Sequence, residues 1–232
     1  RRAAELLQPR FAAAGTEAGA DGADGPDHDP LMGHTVGNLM LCGLMEMMGD
    51  PVAALDYLGS LVRASGRVLP MSRCEVAIEA DVRGHDPQRP HAVCTVRGQH
   101  NIAVTPGQVQ SLRLYPVSPP ACAEAVAAVA RADWLIFGPG SWYTSVIPHL
   151  LVPDLAAAIV ASPARRLIIL NLATDTETVG LTVPDHLAAL AAYAPGLRAD
   201  VVLGDLVGVP DPAPAERAAE SLGARLVLAP VA

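Results

Sequence analysis

The 232-residue chain carries a formal net charge of −8 and is 51% apolar with only 3% aromatic residues. That is enough aliphatic material for one large α/β domain, and it excludes an aromatic platform for stacking nucleic-acid bases. The acidic balance argues against a general nucleic-acid or anionic-membrane surface. All 16 basic residues are Arg, which excludes Lys Schiff-base chemistry and a P-loop Lys.

The chain opens on RRAAELLQPRF, already helical in pattern and without a leading strand. It is therefore expected to be a fragment, residues 1–232 of a single domain whose N-terminal strand and loop lie upstream. Residues 15–30, GTEAGADGADGPDHDP, are small, acidic and turn-rich, as a solvated loop should be. The spacing of Asp21, Asp24, Asp27 and Asp29 matches no EF-hand calcium loop. In GHTVGNLMLCGLMEMMGD, Val36, Leu39, Met40, Leu44 and Met47 recur at helical spacing, with Gly49 and Pro51 ending the element. PVAALDYLGSLVRASG gives a second helix with Pro51 at its first position.

The period then changes. In EVAIEADV, Val76, Ile78, Ala80 and Val82 alternate with Glu75, Ala77, Glu79 and Asp81, the mark of a half-buried strand. HAVCTVRG, HNIAVT and QSLRLYPV follow, so residues 73–116 are expected to form an antiparallel β excursion. The last half alternates continuous apolar runs (ADWLIFGPG, RLIILNLAT, ADVVLGD, ARLVLAPV) with helical patterns (AEAVAAVARA, LAAAIVAS, DHLAALAAY, AERAAESLG). Strands apolar on both faces and separated by helices predict a Rossmann-like, three-layer parallel sheet of the α/β class. The uncharged run at residues 134–153 contains Gly138, Pro139, Gly140 and Pro148, so it reads as strand, loop and helix rather than a membrane span. Cys42, Cys74, Cys94 and Cys122 lack C-x-x-C spacing and no secretory segment is visible, which predicts reduced thiols, a cytoplasmic location and no structural zinc.

Ligands of open parallel sheets collect beyond the carboxyl ends of the strands. There the sequence offers Gly138-Pro139-Gly140-Ser141, then Asn171 and Thr174, then Asp205. Gly138 and Gly140 allow close backbone approach, and the amides of residues 141–145, with the hydroxyls of Ser141, Thr144 and Ser145, suit an anionic diphosphate held without Lys. A tight turn kept for packing is the alternative. Asn38, on an otherwise apolar helix, and His34 before it form a second candidate, with a satisfied core Asn as the plain reading. In NLATDTETVG, Asn171, Thr174 and Thr176 suit sugar hydroxyls, and Asp175 and Glu177 suit a divalent cation on a diphosphate; an exposed polar loop is the alternative. His186 reads as a helix-start residue. Neither a Ser-His-Asp context nor H-E-x-x-H is present, so no catalytic residue is assigned.

GHTVGNLML, RVLPMS, ADWLIFGPGSWYTSVIPHLLVPDLAAAI and DHLAAL together resemble the YvcK-type gluconeogenesis factors, within the superfamily of 2-phospho-L-lactate transferase. The resemblance extends from about Gly33 to Asp205, and G-P-G-S-x-Y-T-S-x-I-P is its most specific part. It implies a CofD-like fold, cytoplasmic location, and binding of a nucleotide diphosphate sugar such as UDP-N-acetylglucosamine by a regulator of carbon-source adaptation, cell-wall (peptidoglycan) synthesis and cell shape. It also implies a homodimer and a cell-wall regulatory protein as partners, and neither nucleic acid nor membrane insertion. The transferase branch implies phospholactyl transfer with Mg2+. Its loop reads G-P-S-N-P, where this chain has Gly138-Pro139-Gly140-Ser141-Trp142-Tyr143, which favours the regulator branch. An interaction scaffold with a degenerate cleft is the third reading. The family's G-G-G-T-G loop and D-D-G-G-S-S-G segment are absent here. Its N-x-M-T-Q-P-G-E-T pattern becomes NLATDTETVG, with Asn171, Thr174, Glu177 and Thr178 kept and Asp175 and Thr176 replacing Gln-Pro.

Overall fold

The structure, a computed structural model, describes residues 5–11, 31, 33–172 and 180–231. The acidic loop expected at residues 15–30 lies outside the described residues. The chain divides into two compact units, Arg1–Pro70 and Met71–Ala232.

The first unit contains α1 (Val36–Met48) and α2 (Pro51–Leu61). The Thr35 hydroxyl accepts the Asn38 amide at the start of α1, and Gly49 ends the helix at φ 64°, a left-handed cap that glycine adopts without strain. Asp50 then accepts the Val52 amide and Pro51 opens α2, as its fixed φ and missing N–H favour. Arg67 grips both carboxylate oxygens of Asp56 at 2.7 Å.

The second unit combines two sheets. β1 (Ala77–Arg83), β2 (Val93–Arg97) and β3 (Gln108–Tyr115) form an antiparallel sheet in the order β2-β1-β3. Its alternation is the one visible in the sequence: Ile78, Ala80 and Val82 are buried, while Glu79 and Asp81 on the other face meet Arg113 at 3.1 and 2.9 Å. The Arg113 guanidinium, with the Thr95 and Ser111 hydroxyls, holds the Asp81 carboxyl below its ordinary range.

One expected strand is a helix. HNIAVT falls on α3 (Gln99–Ala103), a single turn entered through Gly98 at φ 96° that buries Ile102 completely. The apolar pair Ile102 and Val104 mimics strand alternation, yet only Ile102 is buried and Val104 remains 55% exposed.

After α4 (Ala123–Arg131), strands β4 (Trp134–Phe137), β5 (Arg165–Ile169), β6 (Val201–Asp205) and β7 (Arg225–Ala229) form a parallel sheet in sequential order. The crossovers use α5 (Pro153–Ala161), α6 (Val183–Tyr193) and α7 (Pro212–Ser221). Phe137, Ile168 and Val202 enter the core on one face; Trp134 and Ile136 on the other stay 45% and 58% exposed. The α/β class with an antiparallel excursion is therefore the observed architecture.

Side chains join these layers. The Tyr193 hydroxyl, from α6, accepts the Leu112 amide of β3 at 2.7 Å. Arg166 Nη2 donates to the carbonyls of Ile159, Val160 and Ser162, satisfying the C-terminal end of α5. Among the described residues no single helix is long and apolar enough to cross a membrane; the segments Trp142–Leu151 and Pro153–Ala161, bent by 86°, meet that test only together.

Candidate functional site

β4 ends at Phe137, and the next four residues turn the chain across the end of β5. Gly138 has φ +77°, and a Cβ there would lie 2.8 Å from the Ile169 carbonyl oxygen, so only glycine lets the turn lie against β5. Gly140 has φ +151° with open space where a Cβ would be, Ser145 Cβ at 3.8 Å being its nearest neighbour. Its requirement is backbone shape, in a region nearly exclusive to glycine. The chain then winds into a π-helical turn, Trp142–Val146, and a 3-10 turn, Ile147–Leu151. Trp142, Tyr143, Thr144 and Val146 are buried, while Ser145 is exposed.

Asn171, two residues past β5, clamps this turn. Its Oδ1 accepts the Gly140 amide at 2.8 Å and its Nδ2 donates to the Gly140 carbonyl at 3.0 Å, so one carboxamide satisfies both main-chain groups of Gly140. The Ser145 amide donates to the Ser141 carbonyl at 2.8 Å. One of the amides expected to face an anion, that of Ser145, is thus engaged internally, as is the neighbouring Gly140 amide. Those of Ser141, Trp142 and Thr144 have no hydrogen-bond partner among the described residues, as expected of first-turn donors.

A cleft of about 220 Å³ opens beside the turn, lined by Trp142, Leu170, Asn171, Leu181, His186 and Gly208 among others. It lies where the carboxyl ends of β5 and β6 predict a ligand. A second hollow, of about 510 Å³, opens against Thr144 and Ser145, with Gly98, Gln99 and His149 on its wall. Gln99 Nε2 donates to the Thr144 carbonyl at 3.2 Å, linking the antiparallel excursion to the turn.

The far wall of the smaller cleft is built by the start of α6. Thr182 and Asp185 form a reciprocal capping box: the Asp185 carboxylate accepts the Thr182 hydroxyl at 2.6 Å and the Thr182 amide at 2.7 Å. These bonds hold the Asp185 carboxyl below its ordinary 3.8. A depressed carboxylate contributes stability above its unfolded pKa and loses it as pH falls through the folded value. The stability difference between wild type and Asp185→Asn is therefore expected to shrink as pH falls from about 5 to about 3, read from urea midpoints; a pH-independent difference would contradict this.

His186 occupies the next turn. Its Nδ1 lies 2.8 Å from the Thr182 carbonyl, its ring packs edge-on to Trp142 with centroids 5.4 Å apart, and the Trp142 indole donates to the His186 carbonyl at 3.0 Å. Neither Trp142 nor His186 stood out as a site residue in the sequence; their contact, 44 residues apart, gives them that place.

Of the other residues singled out, Thr174 and Glu177, with Asp175, Thr176 and Thr178, lie outside the described residues. His34 and Asn38 belong to the first unit, where both are exposed. Asp205 is buried and its carboxylate accepts the amides of Val207, Gly208 and Val231 at 2.8, 3.3 and 3.1 Å. It braces the β6 end. As for a magnesium ion, no group of three His, Cys, Asp or Glu converges among the described residues. Since Asp205 is bound to main chain, the described residues do not form a cation cage.

The sheet, its excursion and the cleft at the β4 turn define a protein of the CofD class. The chain belongs to the family described as 2-phospho-L-lactate transferase CofD, which matches residues 1–224, and its relatives place it with the YvcK-type members. The putative gluconeogenesis factor of Mycobacterium tuberculosis (strain H37Rv) is 48% identical over 208 residues, covering 89% of this chain and 56% of the relative. The gluconeogenesis factor of Bacillus subtilis (strain 168) is 29% identical over 184 residues, covering 78% and 55%. A solved UPF0052 family member from Bacillus halodurans aligns with a TM-score of 0.73 at 26% identity, covering 97% of this chain and 70% of that one. The chain spans about half the length of the two gluconeogenesis factors.

Proposed function

We propose that this chain is the ligand-binding part of a cytoplasmic regulator that takes up a nucleotide diphosphate sugar of the UDP-N-acetylglucosamine kind, linking gluconeogenic growth to cell-wall synthesis and cell shape. The observation that carries the reading is the clamped turn: Asn171 fixes the Gly140 peptide at the β4 end, beside an open cleft and a run of first-turn amides. Fixed main-chain donors bind phosphate oxygens without Lys and without reorganisation. The diphosphate lies along residues 141–144 and the rest of the ligand extends past Asn171. An open cleft also speaks against a degenerate scaffold.

Phosphotransfer is the second reading, favoured by the transferase description of the family. The chemistry of that description needs a metal to neutralise phosphate charge. Among the described residues no group of three His, Cys, Asp or Glu offers such a cation site.

The test is a calorimetric titration of the full-length protein with UDP-N-acetylglucosamine, in parallel with Asn171→Leu. Removing the carboxamide frees the Gly140 peptide and is expected to weaken binding by roughly tenfold or more. Equal affinity in the two proteins would remove the clamp from the site. Turnover of a guanylylated phospholactyl donor with a deazaflavin acceptor would favour the transferase instead.

A further inference from the structure

We infer that His186 makes a direct polar contact to the ligand in the smaller cleft, with its Nε2 accepting a hydroxyl of the ribose or of the appended sugar; this rests on the nucleotide-sugar reading above. The chemistry follows from the tether on the other side of the ring. A carbonyl oxygen only accepts, so the 2.8 Å contact between Nδ1 and the Thr182 carbonyl requires the proton on Nδ1. In the neutral imidazole that leaves Nε2 with the lone pair.

The neighbouring polar groups of the cleft are held by other tasks. Asn171 brackets the Gly140 peptide with both ends of its carboxamide. The Thr182 hydroxyl is shared between the carboxylate and the amide of Asp185. Asp205, beneath Gly208, is bonded to three main-chain amides. His186 Nε2 has no hydrogen-bond partner among the described residues, and His186 is one of the residues that line the cleft.

Its orientation is fixed twice. Trp142 packs edge-on against the imidazole at an interplanar angle of 88° and anchors the His186 backbone through its indole N–H. Trp142 itself is 1% exposed and follows directly on the glycine turn. A ring held this way loses little freedom when it binds, and so recognises a donor at low entropic cost.

Two substitutions separate this contact from a structural role. His186→Asn keeps an amide donor where Nδ1 stands and removes everything at the Nε2 position. His186→Gln places a carboxamide further out, where its oxygen replaces the Nε2 acceptor. The full-length wild type and both variants are titrated calorimetrically with UDP-N-acetylglucosamine, UDP and GDP, and their thermal midpoints are recorded. The expected result is a loss of about tenfold or more in the Asn variant and recovery of most of it in the Gln variant, with similar midpoints in both.

A loss seen with UDP as well as with the sugar conjugate assigns the hydroxyl to ribose; a loss confined to the conjugate assigns it to the sugar. Unchanged affinity in the Asn variant, or equal loss in both variants, overturns the inference and leaves the nucleotide-sugar reading standing. The Asn and Gln pattern appearing with GDP alone supports the His186 contact while replacing the uridine sugar with a guanine nucleotide. Binding of none of the three probes by wild type overturns both.

Discussion

Trp142→Ala is expected to lower the unfolding free energy by about 3–5 kcal/mol and to abolish the small cleft as a binding site. The indole is 1% exposed, so truncation leaves a cavity in a core shared by Leu187 and Leu190 of α6. It also removes the donor to the His186 carbonyl and the edge that supports the imidazole. Trp142→Phe retains most of the volume and loses only the indole hydrogen bond, with an expected cost of roughly 1–2 kcal/mol. Urea unfolding of the two variants in the full-length protein measures the difference. Equal destabilisation by Ala and Phe would mean that the hydrogen bond, rather than burial, holds the turn to α6.

Gly138→Val carries the second large effect, about 3 kcal/mol or more of destabilisation. Its φ of +77° disfavours any β-branched side chain. The new Cβ would also lie 2.8 Å from the Ile169 carbonyl oxygen, which is backbone and has little room to retreat. Gly140→Ala provides the contrast. It meets the same kind of backbone strain at φ +151°, yet no atom closer than 3.8 Å, so its cost is expected near the 1–3 kcal/mol of a strained residue alone. The comparison separates contact from conformation. If Gly140→Ala proved the more damaging, the close approach at Ile169 would not be what selects Gly138.

These glycines also show what the sequence reveals and what it conceals. Their position after an apolar strand is visible in ADWLIFGPG, where β4 is a continuous apolar run although only its Phe137 face is buried and Trp134 and Ile136 stay exposed. Their separate duties are not visible: Gly138 answers to Ile169, 31 residues along the chain, and Gly140 to Asn171, likewise 31 residues away. Sequence chemistry presents Asn171 as a ligand group, whereas the fold also makes it the brace of the turn.

The antiparallel excursion was legible for a different reason. Ile78, Ala80 and Val82 are buried on one face while Glu79 and Asp81 face Arg113, so burial is encoded with a period of two. Residues 99–103 escaped because a five-residue helix is too short to establish a helical period. His186 escaped as a site residue because nothing within DHLAAL distinguishes a helix-start histidine from one pinned by a distant tryptophan. Only the packing of residues 142 and 186 supplies that information.

The account of the site depends on where a diphosphate lies, and a crystal structure of the full-length protein with UDP-N-acetylglucosamine measures that directly. Phosphate oxygens are expected about 3 Å from the amides of Ser141, Trp142 and Thr144, with His186 and Asn171 along the ligand. A ligand whose phosphates lie away from the β4 turn altogether would contradict the account.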